Sequence, residues 1–285
     1  MIAAITAEKL SKSYASKNVL KNLSFDIEKG QIVGLIGRNG AGKTTLLKCI
    51  LGLTTFEGNL KLLGLNPYKD RVKLLEEVSY IADVATLPRW MKVSDVFDYV
   101  AGIHPNFDRK KAESFLGETS VLLKNRVGEL SKGMIVQTHL AIILAIDSKI
   151  LILDEPTLGL DVINRKVFYD ALLNHYHNEE RTIILTSHQV EEIEYLLTHT
   201  IFIDKGEFIL QESLKEIHKK YFTVKSSDQE HIETLRQLKP SYERKRREEV
   251  FFIFENQKKE ELKNYGKIGT VDLVELFASK VGGKF

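Results

Sequence analysis

Eight residues, Gly37-Arg38-Asn39-Gly40-Ala41-Gly42-Lys43-Thr44, constrain this chain more than any other stretch. They fit the pattern G-x-x-x-x-G-K-[ST]. They lie between a short apolar run, Gln31–Ile36, and a segment with helical spacing in Leu46, Leu47, Ile50 and Leu53. A strand that runs into a glycine-rich turn and out into a helix frames a phosphate-binding loop. Glycine lets the backbone come close to a polyphosphate and take conformations closed to other residues. The N–H groups of residues 38–43 then converge on the anion at a helix N-terminus. Lys43 supplies a point charge to the β- and γ-phosphates, and Thr44 a hydroxyl for Mg2+.

The surrounding pattern places this loop in an α/β chain. Ile2–Leu10 and Val19–Ile27 predict antiparallel strands, and Gly58–Leu63 and Val78–Ala82 further ones. Val93–Val100, Asp108–Phe115 and Lys132–Ile146 are helical patterns, so residues 84–146 or so predict an inserted helical subdomain. Alternation then resumes. Ile150–Leu153 and Thr182–Thr186 predict strands, Val162–His177 a long amphipathic helix and Gln189–Leu197 a second helix. Thr200–Asp204 and Glu207–Leu210 flank a hairpin turn at Lys205-Gly206. Up to residue 212 this alternation argues for a mostly parallel sheet. Residues 213–285 are charge-dense. They carry two aromatic strand patterns, Tyr221–Lys225 and Val250–Phe254, and helical patterns at Asp228–Leu238, Lys258–Tyr265 and Val271–Val281, enough for a small α+β appendage.

Composition narrows the class. Lys plus Arg is 41 against 39 for Asp plus Glu, a net charge of +2, which argues against a surface built for nucleic acid. The single cysteine, Cys49, excludes an internal disulfide, suits a reducing compartment and falls on the apolar face of the helix after the loop. The longest apolar run, ending at Ile146, is far short of the about 20 residues of a spanning helix. Met1-Ile2-Ala3-Ala4 does not read as a secretory signal. The expectation is a soluble cytoplasmic protein.

A second chemical feature supports the loop. The apolar strand Ile150–Leu153 ends in Asp154-Glu155. In parallel sheets ligands sit beyond the carboxyl ends of strands. Asp154 is therefore placed to hold Mg2+, and Glu155, one residue on, to reach a water as general base. Adjacent carboxylates repel, and a divalent cation relieves this. By itself such a pair is also how a strand ends in a solvated turn; the loop tips the reading to chemistry. Ser131 is a good N-cap for the helix running to Ile146. His188 follows a strand, where a lone histidine is usually structural.

In order and spacing these pieces resemble the nucleotide-binding subunit of ATP-binding cassette (ABC) transporters, over residues 1–212. The resemblance implies a P-loop NTPase fold: a RecA-like core, an antiparallel β subdomain and a helical subdomain, here followed by an accessory or regulatory domain over 213–285. It also implies roles. Tyr14 stacks on adenine. Gly37, Arg38, Asn39, Gly40, Ala41, Gly42, Lys43 and Thr44 form the Walker A loop, and Thr45 adds an α-phosphate contact. Asp154 and Glu155 are the Walker B aspartate and catalytic glutamate. Leu160-Asp161, in the stretch Thr157 to Asp161, is the D-loop, and His188 the switch histidine at the γ-phosphate. Ser131 and Gly133 belong to a signature that acts in trans across a head-to-tail homodimer or heterodimer. Two departures stand out. Leu130-Ser131-Lys132-Gly133-Met134 replaces Leu-Ser-Gly-Gly-Gln. Asp83 stands where a Q-loop glutamine is usual; shorter and anionic, it could still hold Mg2+ or a water.

Both departures, His104–Asp108 and Val271–Phe277 are similar to the branch containing bacterial drug, antibiotic and lantibiotic exporters. The resemblance thus implies an ATPase using ATP and Mg2+. It would sit on the inner face of the cell membrane through separate permease subunits, exporting a drug, antibiotic, peptide or lipid-like compound. Permease helices would dock near Asp83, where Pro88-Arg89-Trp90-Met91 suits a groove or, equally, core packing. One alternative is a soluble ABC ATPase acting on ribosomes, DNA or iron–sulfur assembly, though the chain has neither a second cassette nor a long coiled coil. The other is a nucleotide sensor without turnover, against which Glu155 and His188 speak. Arg244-Lys245-Arg246-Arg247 could touch anionic lipid, but Glu243, Glu248 and Glu249 favour a solvated strand or turn. The appendage is expected to help pair subunits or regulate their closed state.

Overall fold

Two twelve-residue strands, β1 (Ala3–Tyr14) and β2 (Lys17–Glu28), form an antiparallel hairpin. Along β2, buried Leu23, Phe25 and Ile27 alternate with exposed Asn22, Ser24 and Asp26, so one face of the pleat meets the core. The next strand differs. In β3 (Ile32–Gly37) every residue up to Ile36 is buried, as expected of a parallel strand covered on both faces. It leads through the glycine-rich loop into α1 (Lys43–Ile50), which buries Leu46, Leu47, Cys49 and Ile50. The computed structural model describes residues 3–15, 17–81, 87–158, 160–175, 181–187 and 190–282.

β4 (Glu57–Leu62) completes a three-stranded antiparallel sheet, β2-β1-β4. A short helix not anticipated from the residue pattern, α2 (Arg71–Leu75), precedes β5 (Val78–Ile81). The inserted helices are α3 (Val93–Ile103), α4 (Arg109–Gly117) and α5 (Lys132–Ala145). They pack Val93, Phe97, Ala112, Leu116 and Ala141 into a small core of their own. α5 also turns Leu140, Ile143 and Leu144 toward the main core, so it is apolar nearly all round.

The chain continues through β6 (Ile150–Asp154), α6 (Val162–His175), β7 (Thr182–Thr186), β8 (His199–Asp204) and β9 (Glu207–Ser213). The main sheet runs β5-β6-β7-β3-β8-β9, parallel except for the β8–β9 hairpin. The carboxyl ends of β3, β6 and β7 thus share one edge of the sheet, the place where the loop emerges.

Two expectations need correction. The helix expected over Gln189–Leu197 is instead a pair of 3-10 turns, Val190–Glu192 and Glu194–Leu196, among the described residues. Buried Val190, Ile193 and Leu196 are spaced three apart, the period of a 3-10 helix. The bonds Ile193 N–H to Val190 O and Leu196 N–H to Ile193 O follow that spacing. Nor is α6 cleanly amphipathic: Phe168, Tyr169 and Leu172 are buried, but Val162, Ile163 and Val167 face outward.

The appendage begins at Ser213, which caps α7 (Leu214–Lys220) through a bond from Glu216 N–H. It continues through β10 (Tyr221–Ser226), α8 (Gln229–Gln237), β11 (Tyr242–Arg246), β12 (Glu249–Glu255), α9 (Lys259–Leu262), β13 (Lys267–Thr270) and α10 (Leu273–Lys280). Its antiparallel sheet, β11-β12-β10-β13, is covered on one face by α8 and α9, through Phe222, Phe252, Phe254, Ile232, Leu235 and Leu262. On the other face Tyr221, Phe251 and Ile253 join one cluster with Phe168, Leu172 and Phe202. Phe277 of α10 meets Phe202 edge-on, ring centroids 5.3 Å apart. The apolar core therefore runs across the 212/213 boundary without a break. The basic run 244–247 lies in β11, at the sheet edge, and in the turn after it, where charge discourages pairing with another chain. No described helix is long and apolar enough to cross a membrane.

Candidate functional site

The loop between β3 and α1 is built around a buried cation. Gly42, the N-cap of α1, sits at φ 113° and Gly40 at φ 78°, a left-handed region costly for side chains. These turns leave Arg38, Asn39 and Gly40 exposed and carry Lys43 inward. The Lys43 Nζ donates to Gly37 O at 2.7 Å and Arg38 O at 3.3 Å. Burial lowers the Lys43 pKa, while the charges of Glu155 and Asp154 oppose that shift. Beside the loop lies a cavity of about 390 Å³, bounded by Lys17, Val19, Arg38, Thr44, Thr45 and Glu155. Nothing in the sequence alone singles out Lys17 and Val19. The hairpin register carries the signal, since it pairs Lys17 with Tyr14. Tyr14 is 45% exposed, with the Lys12 ammonium 4.8 Å from its ring centre.

The turn Lys205-Gly206 between β8 and β9 holds this arrangement together. Gly206 N–H donates to Ala41 O at 3.0 Å, and Gly206 O accepts from Lys21 N–H at 2.9 Å. A Cβ on Gly206 would stand 2.2 Å from Val19 O.

Asp154 is buried at the end of β6. The β6–β7 register sets it opposite Thr186, whose Oγ1 donates to Asp154 Oδ1 at 2.7 Å. Thr186 Oγ1 also accepts from Glu155 N–H at 3.0 Å. Glu155 takes φ 53°, rare for a non-glycine residue. Thr186 was not anticipated; only the pairing of two strands distant in sequence brings it here.

Two further expected groups lie elsewhere. Ser131 caps α5, its hydroxyl accepting from Met134 N–H at 3.2 Å. Gly133 faces α6 so closely that a Cβ would lie 2.7 Å from Asn164 Oδ1. Asn164 in turn donates from its backbone N and Nδ2 to the two oxygens of Asp161, at 2.9 and 2.7 Å, and these bonds lower the Asp161 pKa. Ser131 and Gly133 are not among the described residues lining the loop cavity. Arg165 donates to Leu160 O and to both oxygens of Glu192, so it ties residues 160–161 to the 3-10 turn after β7. Asp83, Gly159 and His188 lie outside the described residues.

Among the described residues, Thr44, which lines the loop cavity, and Asp154, at the end of β6, could each offer one oxygen to a metal. No cluster of three or more His, Cys, Asp or Glu suited to a metal occurs among the described residues. Two protein oxygens fit Mg2+, which keeps most of its shell from water and phosphate. Cys49 is buried, and burial pushes its thiol up to about 11, an inert core position. Behind the loop a second cavity, about 210 Å³, separates Gly37, Arg38 and Asn39 from Val274 and Phe277 of α10.

Comparison with known proteins agrees on the class. The family described as "ABC transporter" matches residues 20–158. The chain is 33% identical to the zinc uptake system ATP-binding protein ZurA of Listeria innocua, covering 70% of this chain and 82% of that protein. It is 30% identical to the bacitracin transport ATP-binding protein BcrA of Bacillus licheniformis, covering 80% and 77%. Among solved structures, an ATP-binding subunit of an ABC transporter superposes with a TM-score of 0.68 at 22% identity, over 76% of this chain and 92% of that one.

Proposed function

Since the chain belongs to the family of ABC transporter ATP-binding proteins, ATPases that drive transport, we propose a division of labour among its residues. A triphosphate lies along the N–H groups of residues 38–43, paired with Lys43, while Thr45 contacts the α-phosphate. Tyr14 stacks on the adenine, with Lys17 and Val19 beside it. Thr44 and Asp154, with Asp83, hold Mg2+, which when bound neutralises charge on the phosphate oxygens. Glu155 takes the proton of the attacking water, and His188 contacts the γ-phosphate. The observation that carries this reading is the convergence of Lys43, Asp154 and Glu155 at the carboxyl edge of one parallel sheet.

The signature residues act on the partner's nucleotide. Two facts support a head-to-tail dimer. Ser131 is exposed and does not line the chain's own loop cavity. Leu158, Val162, Ile163 and Val167 form an outward apolar group on the neighbouring segment, of the kind that marks an interaction surface. Separate permease subunits complete the machine, docking near the exposed Trp90. Its exposure disfavours core packing for that residue. Among the relatives named, one serves zinc uptake and one bacitracin transport. The signature Leu-Ser-Lys-Gly-Met and the His104–Asp108 stretch favour export.

The test is the ATPase rate of the purified chain as its concentration rises. A specific activity that climbs with dimer formation is expected. Full turnover independent of concentration in monomeric protein would overturn the shared-site reading, and co-purification with ribosomes rather than membranes would favour a soluble ATPase.

A further inference from the structure

The hydroxyl of Thr186 occupies a position with no freedom left. It is fully buried, at the end of β7, and touches both acidic residues of the site at once. A hydroxyl has one proton to give and lone pairs to receive. An ionised carboxylate can only accept, and a backbone N–H can only donate. The proton of Thr186 therefore goes to Asp154 Oδ1, and its lone pair takes Glu155 N–H.

Glu155 adds the second half of the argument. Its φ of 53° is a conformation that a non-glycine residue holds only when its surroundings insist. The bond from its N–H to Thr186 fixes one side of that residue. The other is held by Leu158 N–H donating to Glu155 O at 3.1 Å. Release of the first bond frees the peptide joining Asp154 to Glu155. The two carboxylates would then lose their fixed relation to each other and to the loop.

We infer that Thr186 is a positioning residue for hydrolysis, its single hydroxyl aiming the Asp154 carboxylate and holding Glu155 in the left-handed turn that presents its side chain. This rests on the roles proposed above for Asp154 and Glu155. The role differs from theirs: Thr186 acts through them, without contact to substrate.

Three variants test it. Thr186→Val keeps the shape and removes both bonds, Thr186→Ser keeps the hydroxyl, and Thr186→Cys keeps the size with a weak hydrogen-bonding group. For Thr186→Val we expect kcat to fall about tenfold or more, with KM for ATP within about twofold. Binding of a fluorescent ATP analogue in EDTA should stay within about twofold, because Lys43 and its loop are untouched. The Mg2+ concentration giving half-maximal enhancement of that binding should rise about fivefold. Thr186→Ser should recover both readouts to within about threefold, and Thr186→Cys should fall between. Wild-type kcat in Thr186→Val would overturn the inference. So would a Thr186→Ser protein as slow as Thr186→Val, since the hydroxyl would not then be the operative group. If thermal melting shows that the valine protein does not fold, the serine and cysteine proteins decide, and equal values in those two refute the role. A wild-type chain without turnover would instead refute the proposed function, and the Mg2+ arm of the binding measurement would still judge Thr186.

Discussion

Residues 3–212 and residues 213–282 are built to different ends. In the first, the groups suited to chemistry stand at the carboxyl ends of buried strands: Lys43 after β3, Asp154 at the end of β6 with Glu155 next to it, Thr186 at the end of β7. In the second, the strands carry aromatic side chains on both faces, Phe222, Phe252 and Phe254 toward α8, and Tyr221 and Phe251, with the aliphatic Ile253, toward the rest of the protein. Yet the second region is not hung on the first by a linker. Phe277 against Phe202, and Leu273 N–H bonded to Glu194 at 3.2 Å, seat it on the main core. A stretch without a chemical motif can thus be an integral part of the stability of a stretch full of them.

That comparison is most sharply tested by a change confined to the first region. Glu155→Gln is expected to lower kcat roughly a hundredfold or more while leaving the melting temperature near wild type, with ATP-bound dimer accumulating on size exclusion. Normal hydrolysis by this variant would remove Glu155 as the base. Next in size is Phe277→Ala, expected to cost about 3 kcal/mol in urea unfolding through the cavity it leaves. Unfolding should remain a single transition, because the core is shared. Two separate transitions would show that the halves are independent after all. For the same reason, removing residues 213–285 would uncover Leu172 and Phe202, so truncation would mix any regulatory effect with loss of folding.

The smallest effect is a slope. Burial, aided by Asp272, pushes the Glu275 carboxyl up to about 7, with Lys225 and Arg246 opposing. Folded Glu275 keeps its proton to a higher pH than the unfolded chain, whose ordinary value is 4.5. The folded state therefore binds more protons in between. This contribution to stability is whole below the unfolded value and is lost as pH rises toward 7. Glu194, also raised by burial, pulls the same way. Glu275→Gln should flatten the decline of melting temperature between pH 4.5 and 7. An unchanged slope would place its origin elsewhere.

Much of this architecture could be read from the residues, and the reasons are local. Ile32–Ile36 and Ile150–Leu153 are apolar without interruption because both of their faces are covered, and Lys205-Gly206 is a turn because two adjacent residues must take positive φ. The loop was legible because its glycines and lysine sit at fixed spacing. What escaped was long-range or weakly patterned. β11 and β13 hold few apolar residues and exist because β12 and β10 lend them hydrogen-bonding edges. Thr186 looks like any strand threonine until β6 pairs with β7 in one register. Lys17 and Val19 reach the cavity only because the hairpin folds back over it. The continuity of core between the two regions was equally hidden, since Tyr221, Phe251 and Phe277 do not announce which surface they will meet.

The turn at Gly206 carries a consequence of its own. A glycine far along the chain clasps the glycine-rich loop to the β1–β2 hairpin, with the backbone of Val19 almost touching it. Loop and hairpin are therefore pinned together at that point, and a single methyl group there would act as a wedge, prising them apart from a position outside the cavity lining.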